Sequence, residues 1–335
     1  MRGTVERRRA VPRRELGPSG AAQLREPQAW GSYKRFRLGI DLGGTKTEIL
    51  ALDAKGAECF RQRVPTPQSD YAAILRTIAT LVDAAEQTLG ASGNIGIGTP
   101  GSISRATGLL RGSNSVCMNG RPITRDLEQV LGREVRITND ANCFALSEAS
   151  DGAGRGFDVV FGVILGTGVG AGIVVGGRVL DGPNAIAGEW GHNPLPWPRD
   201  DERPGDPCFC GRSGCVETFL SGPGLRRDHA RVTREALTTH QIAERARGGD
   251  AACAATLARY EERLARALAQ VMNIVDPDVI VLGGGLSNID SLYVNVPLLW
   301  GSWVFSDHID THLSKHVHGD SSGVRGAAWL WPAPQ

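Results

Sequence analysis

No apolar run in this 335-residue chain reaches the roughly 18 residues that a membrane-spanning helix needs. The first residues carry no apolar segment of the kind that directs secretion. The expectation is a cytoplasmic protein with no membrane partner. The cysteines number seven and three of them are clustered, which fits a reducing compartment and a metal site better than a disulfide framework. A large excess of either charge is also missing, since the formal net charge is +1. Residues 1–37 hold ten Lys and Arg against three Glu, about +7, so the remainder is about −6. A mildly acidic body argues against specific nucleic-acid recognition.

What is abundant is glycine, 44 residues of it, which suggests turns where backbone approaches a ligand. The length suits two globular domains. Residues 1–36 are rich in Arg, Pro and Gly without an apolar period, and read as a disordered basic tail. Glu6, Glu15 and Glu26 argue against an Arg-rich targeting peptide there. Three strand-like runs follow, 36–42, 47–53 and 57–64, with Gly43-Gly44 at the first turn. A helix is expected over 70–89, capped by Ser69 or Asp70 and ended by Gly90. A strand over 94–99 then leads to the turn Pro100-Gly101. The opening pattern returns about 120 residues later: an apolar run at 158–165, the turn Gly166-Thr167-Gly168, and a second run at 171–175. Two copies of one hairpin unit predict two related α/β lobes. A long helix over 251–275 and a buried strand at 278–282, ending in Gly283-Gly284-Gly285, complete the pattern.

The segment DLGGTKT (41–47) nearly imitates a Walker A loop, but Thr45 stands where Lys belongs, Lys46 comes one late, and a strand follows instead of a helix. Gly166-x-Gly168-x-x-Ala171 fails as a dinucleotide fingerprint for the same reason. What remains is a set of glycine turns at Gly43-Gly44-Thr45, Gly166-Thr167-Gly168 and Gly283-Gly284-Gly285. Their backbone N–H groups are open to phosphate oxygens, and as a set they read better as phosphate binders than as plain hairpins. Asp41 is either a turn cap or a carboxylate holding Mg²⁺ through water.

Asn139-Asp140 lies between a strand and a helix. Asp140 is either the N-cap of that helix or a general base that accepts a sugar hydroxyl's proton during attack on a γ-phosphate. Cys208, Cys210 and Cys215, spaced by Gly211 and Gly214, suit tetrahedral zinc, with His192 as the best fourth ligand. The competing readings are buried free cysteines or a strained disulfide. A closed four-ligand site is structural. Glu189 and Glu217 flank the cluster, each a sugar ligand or a solvated carboxylate, while Trp190 and Trp197 either stack on a sugar or pack, with packing favoured.

Taken together, DLGGTKTE (41–48), GIGTPG (96–101), NDAN (139–142), LGTGVGAG (165–172), GEWGH (188–192), CFCGRSGCVE (208–217) and VLGGG (281–285) resemble the ROK family of repressors and sugar kinases, in family order. AGEWGHNPLPW and HGDSSGVRGAAWLWP look like its bacterial fructokinase, or manno(fructo)kinase, branch. The resemblance implies a two-lobed, actin-like (ribonuclease H-like) α/β ATPase fold with ATP in the cleft, and a homodimer. It implies a small lobe over 37–141 joined by a C-terminal helix at about 322–335, and a large lobe over 142–321 with a zinc-binding loop. Asp140 is then the base for ATP-dependent phosphorylation of a hexose 6-hydroxyl, with D-fructose first and mannose beside it. Asn139, Glu189, His192, Glu217, Gly101 and Asn114 form the sugar site. Asp41, Gly43, Gly44, Thr45, Lys46, Gly166, Thr167, Gly168, Gly283 and Gly284 serve ATP and its Mg²⁺. His192 also joins the three cysteines on zinc. Glucose or N-acetylhexosamine as substrate is the alternative. A sugar-responsive repressor is disfavoured because residues 1–36 are too short and aperiodic for a DNA-reading module.

Overall fold

The computed structural model describes residues 34–319 and 322–332, so the expected tail lies, up to residue 33, outside the described residues. Its last three residues instead open the first strand, β1 (Lys34–Leu42). The chain continues through β2 (Lys46–Leu52), β3 (Glu58–Pro65), α1 (Tyr71–Leu89), β4 (Ser92–Thr99), the short pair β5 (Ser102–Ile103) and β6 (Leu110–Arg111), α2 (Ile123–Leu131) and β7 (Val135–Asn139). These build a five-stranded sheet in the order β3-β2-β1-β4-β7. The β1–β2 and β2–β3 pairs are antiparallel, and β1, β4 and β7 run parallel. Asp70 caps α1 by accepting from the Ala73 N–H at 2.9 Å, and Gly90 closes it in the left-handed conformation.

The second half repeats the plan. After α3 (Asp140–Asp151) come β8 (Val159–Leu165), β9 (Val169–Val175) and β10 (Arg178–Val179). Then follow α4 (Val216–Leu220), α5 (Gly222–Thr233), α6 (Thr239–Arg247), α7 (Ala251–Val275), β11 (Val279–Gly283), α8 (Leu292–Leu299), β12 (His312–Lys315) and α9 (Ser322–Trp329). The sheet order is β10-β9-β8-β11-β12, again an antiparallel hairpin followed by parallel strands. The hairpin repeat seen in the sequence is thus the first pair of each sheet. Strand β9 begins two residues earlier than expected, because Val169 already pairs with Leu165 across the glycine turn.

Central strands are buried on both faces, which explains their continuous apolar runs. Leu38, Ile40 and Leu42 pack with Ile74, Ile78 and Leu81 of α1. Phe161, Val163 and Leu165 pack with Leu264 and Leu268 of α7. Helices α3 and α9 lie against each other between the sheets, and α9 also covers β1 and β4. Their backbones nearly touch: a Cβ at Gly326 would lie 1.6 Å from the Cys143 carbonyl oxygen. Arg325 of α9 bonds Asp151 at the end of α3 and donates to the Gly56 carbonyl, while His318 reaches Asp151 at 2.9 Å. Helix α9 ends at Trp329, short of the expected 335. Pro332 offers no N–H and disfavours the helical conformation just before it.

Candidate active site

Strand β7 delivers its last residue, Asn139, to the edge between the two sheets, and α3 starts at the next position. The N-cap is Asn139, whose Oδ1 accepts from the Asn142 N–H at 2.7 Å. Asp140 is therefore not the cap. It sits at the first helical position, where its Oδ1 accepts from the Ala141 N–H at 2.9 Å. Solvent reaches Asp140 through an open cleft, yet protein surrounds it on the other sides. Burial pushes its carboxyl up, the backbone N–H groups pull it back, and the nearby Glu189 charge raises it further. Asp41, at the end of β1, is raised to about 6, first by burial and then by the charge of Asp140. Two carboxylates close enough to repel favour a cation nearby.

The cleft encloses about 530 Å³, within the range of small-molecule sites. It gathers the predicted base Asp140 and all six predicted sugar residues, Asn139, Glu189, His192, Glu217, Gly101 and Asn114. The turn Gly166-Thr167-Gly168 lines it too. Asp41, Gly43, Gly44, Thr45 and Lys46 do not line it. That turn flanks the cleft instead, since a Cβ at Gly44 would lie 3.6 Å from Asn114 Oδ1 and from Ser115 Oγ. Gly283 and Gly284 are also outside the lining. Gly284 has φ +79°, and a Cβ there would meet the Leu165 carbonyl oxygen at 2.5 Å, so this glycine lets β11 abut the end of β8 beside the Gly166 turn.

Beyond that glycine run lies a second cavity of about 240 Å³, bounded by Gly285, Leu286, Ile289 and, on α6, Thr239, His240 and Arg247. A chain of contacts ties it to the cleft. Gly222 donates to the Gly166 carbonyl at 2.7 Å, and the Cβ position of Gly222 is 3.4 Å from the Thr239 methyl. Sequence reasoning missed these α6 residues, because an exposed helix face with no glycine or carboxylate motif carries no local sign of a ligand.

His192, Cys208, Cys210 and Cys215 converge, with one ligand atom from each lying within 4.8 Å of the others. Cys210 and Cys215 sulfurs stand 3.6 Å apart and all the described cysteines are free, so the disulfide reading fails. A tetrahedron of bonds about 2.3 Å long has edges of about 3.8 Å, so this donor set fits zinc. The Nδ1 of His192 faces Cys208 at 3.5 Å, leaving Nε2 as the nitrogen away from the cluster. Burial, reinforced by the adjacent thiols, pushes Cys215 up to about 12, and a cation would relieve that crowding of sulfurs. Glu217 joins the cluster to the Gly166-Thr167-Gly168 turn: Oε2 accepts from the Val169 N–H at 3.0 Å, and Oε1 lies 3.9 Å from Cys208 Sγ.

The long segment between His192 and Cys208 is pinned from below. Glu202 accepts from Arg263 and Arg266 of α7, and Arg266 also donates to the Trp197 carbonyl at 2.6 Å. Trp190 is buried and packs edge-on against Phe161, as expected, whereas Trp197 stacks on Trp303 with half of its surface exposed. Phe209, between two of the cysteines, lines the cleft and had no role in the sequence reading.

A family model described as the ROK family matches residues 37–333. The chain is 41% identical over 296 residues to an N-acetyl-D-glucosamine kinase of Pectobacterium atrosepticum, a match covering 87% of this chain and 97% of that one. A ROK hexokinase from Thermus thermophilus matches with a TM-score of 0.77 at 31% identity, over 88% of this chain and 97% of the other. A ROK family glucokinase from Streptomyces griseus, in complex with glucose and AMPPNP, matches with a TM-score of 0.69 at 28% identity, over 88% and 98%. The repeated hairpin sheets are those of the actin-like ATPase fold, and the chain belongs to the ROK family as one of its sugar kinases.

Proposed function

We propose that the chain transfers the γ-phosphoryl group of ATP to the 6-hydroxyl of a hexose, with Asp140 as the general base. The observation that carries this reading is the carboxylate of Asp140 at the head of α3, lining one cleft with the Gly166-Thr167-Gly168 turn. A sugar hydroxyl is a poor nucleophile, and a positioned carboxylate orients it and takes its proton. The raised pKa of Asp140 makes it a better proton acceptor than an ordinary aspartate. Asn139, Glu189, His192, Glu217, Gly101 and Asn114 hold the sugar. Gly166, Thr167 and Gly168 receive the phosphates, and Gly43 to Lys46 close on them from the flank. The base end of the nucleotide extends past Gly283 and Gly284 toward Thr239 and Arg247. Asp41 holds Mg²⁺ through water, and that ion when bound offsets phosphate charge. Zinc on His192, Cys208, Cys210 and Cys215 is structural, because four protein ligands leave no open position. Its task is to fix the start of α4, which carries Glu217.

D-Fructose, yielding fructose 6-phosphate, is the first substrate and mannose the second. The stretches AGEWGHNPLPW and HGDSSGVRGAAWLWP support this choice. N-acetyl-D-glucosamine is a second reading, favoured by the relatives of that name at 38–41% identity. The enzyme works in the cytoplasm as a homodimer. ADP release with Mg-ATP and fructose, mannose, glucose or N-acetylglucosamine, beside an Asp140→Asn control, tests the reading. Turnover of fructose that the control abolishes supports it. Turnover led by N-acetylglucosamine transfers the assignment to the second reading, and no turnover by zinc-replete protein rejects both.

A further inference from the structure

Phe209 is a large apolar side chain that is 84% exposed. Its chain neighbours Cys208 and Cys210 turn into the sulfur cluster, and the ring is left outside it, on the wall of the cleft. The ring meets His192 edge to face, with centroids 4.9 Å apart and an interplanar angle of 88°. The backbone that presents it is a closed turn: the Cys208 N–H donates to the Arg212 carbonyl at 2.8 Å, and the Gly211 N–H to the Cys208 carbonyl at 3.0 Å. Phe209 belongs to none of the hydrophobic cores. A ring held in place, in contact with a cleft residue, and wet on its remaining surface gains free energy when a ligand covers it.

The other groups around it, Glu189, His192 and Glu217, are polar and address hydroxyls. A hexose also has an apolar C–H face, and among the cleft residues Phe209 is the one aromatic hydrocarbon ring. We infer that Phe209 is a specificity-determining wall of the hexose site, packing on the C–H face of the bound sugar and occupying room that a bulky ring substituent requires. This rests on the hexose-kinase reading and adds a residue to it. The ring discriminates by shape, since an aromatic wall braced by His192 yields less than a flexible side chain would.

The test compares wild type with Phe209→Ala and Phe209→Tyr, each checked for bound zinc. For fructose, Phe209→Ala should raise KM on the order of tenfold, as losing about 50 Å² of apolar contact predicts, with kcat changed less. Its kcat/KM for fructose should fall more than that for N-acetylglucosamine, narrowing the gap between them. Phe209→Tyr keeps the ring and should stay within about twofold of wild type. A KM for fructose that does not move in the Ala variant overturns the proposal. A separate measurement needs no loss of side chain. In protein labelled with fluorophenylalanine, the Phe209 resonance, assigned by its absence in Phe209→Tyr, should shift on saturation with fructose alone. An unmoved resonance under saturating sugar overturns the wall even if Phe209→Ala loses zinc. Absence of hexose turnover in wild type would instead remove the kinase reading on which the wall depends.

Discussion

Arg266 and Glu202 form a two-pronged ion pair sealed from solvent: Nη2 of the arginine stands 2.7 and 2.9 Å from the two carboxylate oxygens, with side-chain exposures of 0% and 2%. Arg263 adds a third bond at 2.7 Å. This pair fastens the segment between His192 and Cys208 to α7.

Replacing Glu202 with Ala should destabilise the protein by about 1–3 kcal/mol, since buried guanidinium N–H groups lose their acceptor while Arg263 keeps Asp228 and Arg266 keeps Glu262. The desolvation of Glu202 is more than offset by Arg266, Arg263 and the Arg199 N–H, which hold its carboxyl down at about 2. A depressed carboxylate contributes stability that is complete above its unfolded value of about 4.5 and is lost as pH falls from there toward 2. That contribution is roughly 3 kcal/mol. Urea midpoints measured between pH 3 and 7 should fall steeply on the acid side for wild type and less so for the Ala variant. Parallel pH curves would contradict this.

Asp140→Asn should lower kcat by about 10²–10⁴ while ATP and sugar still bind. Because Asp140 is raised and Asp41 lies at about 6, kcat/KM should decline on the acid side at a pH well above that of an ordinary aspartate. The ionised forms are the working ones, so activity is retained at higher pH and lost as these groups protonate. A profile flat down to pH 4 would rule out a raised carboxylate as the base.

Cys215→Ser, or dialysis of wild type against a strong chelator, should remove zinc and lower the melting temperature by roughly 5 °C or more. KM for sugar should rise more than KM for ATP, since Glu217 leans on the cluster through Cys208. Metal analysis finding no zinc in protein purified with zinc present would refute the assignment.

Gly326→Ala should cost about 3 kcal/mol or more, because the new methyl would meet the Cys143 backbone, which cannot step aside as a side chain can. Chemical denaturation would show it. An unchanged midpoint would mean that α9 is not seated against α3 as described.

The sequence was most legible where chemistry is local. A helix over 70–89 capped by Ser69 or Asp70, found at 71–89 with Asp70 as the cap, the helix over 251–275, the duplicated hairpin and the Cys/His cluster were all expected, since periodicity, capping and ligand spacing are written within short segments. The choice of N-cap was not. Asn139 and Asp140 are both good caps, and only the exit angle of β7 decides which one faces the Asn142 N–H.

By itself the sequence determined the fold class, the glycine turns and the residues fit for proton and metal chemistry, because each depends on neighbours along the chain. The tertiary structure decided the rest. It brought Asp140 and Gly166–Gly168 into one cleft, kept the Gly43–Lys46 turn at the flank of the cleft, and joined Thr239 and Arg247 of α6 to the glycine run after β11. It also turned Phe209 to the cleft. These depend on contacts between residues far apart in the chain, which the packing of two sheets around α3 and α9 brings together and no local pattern encodes.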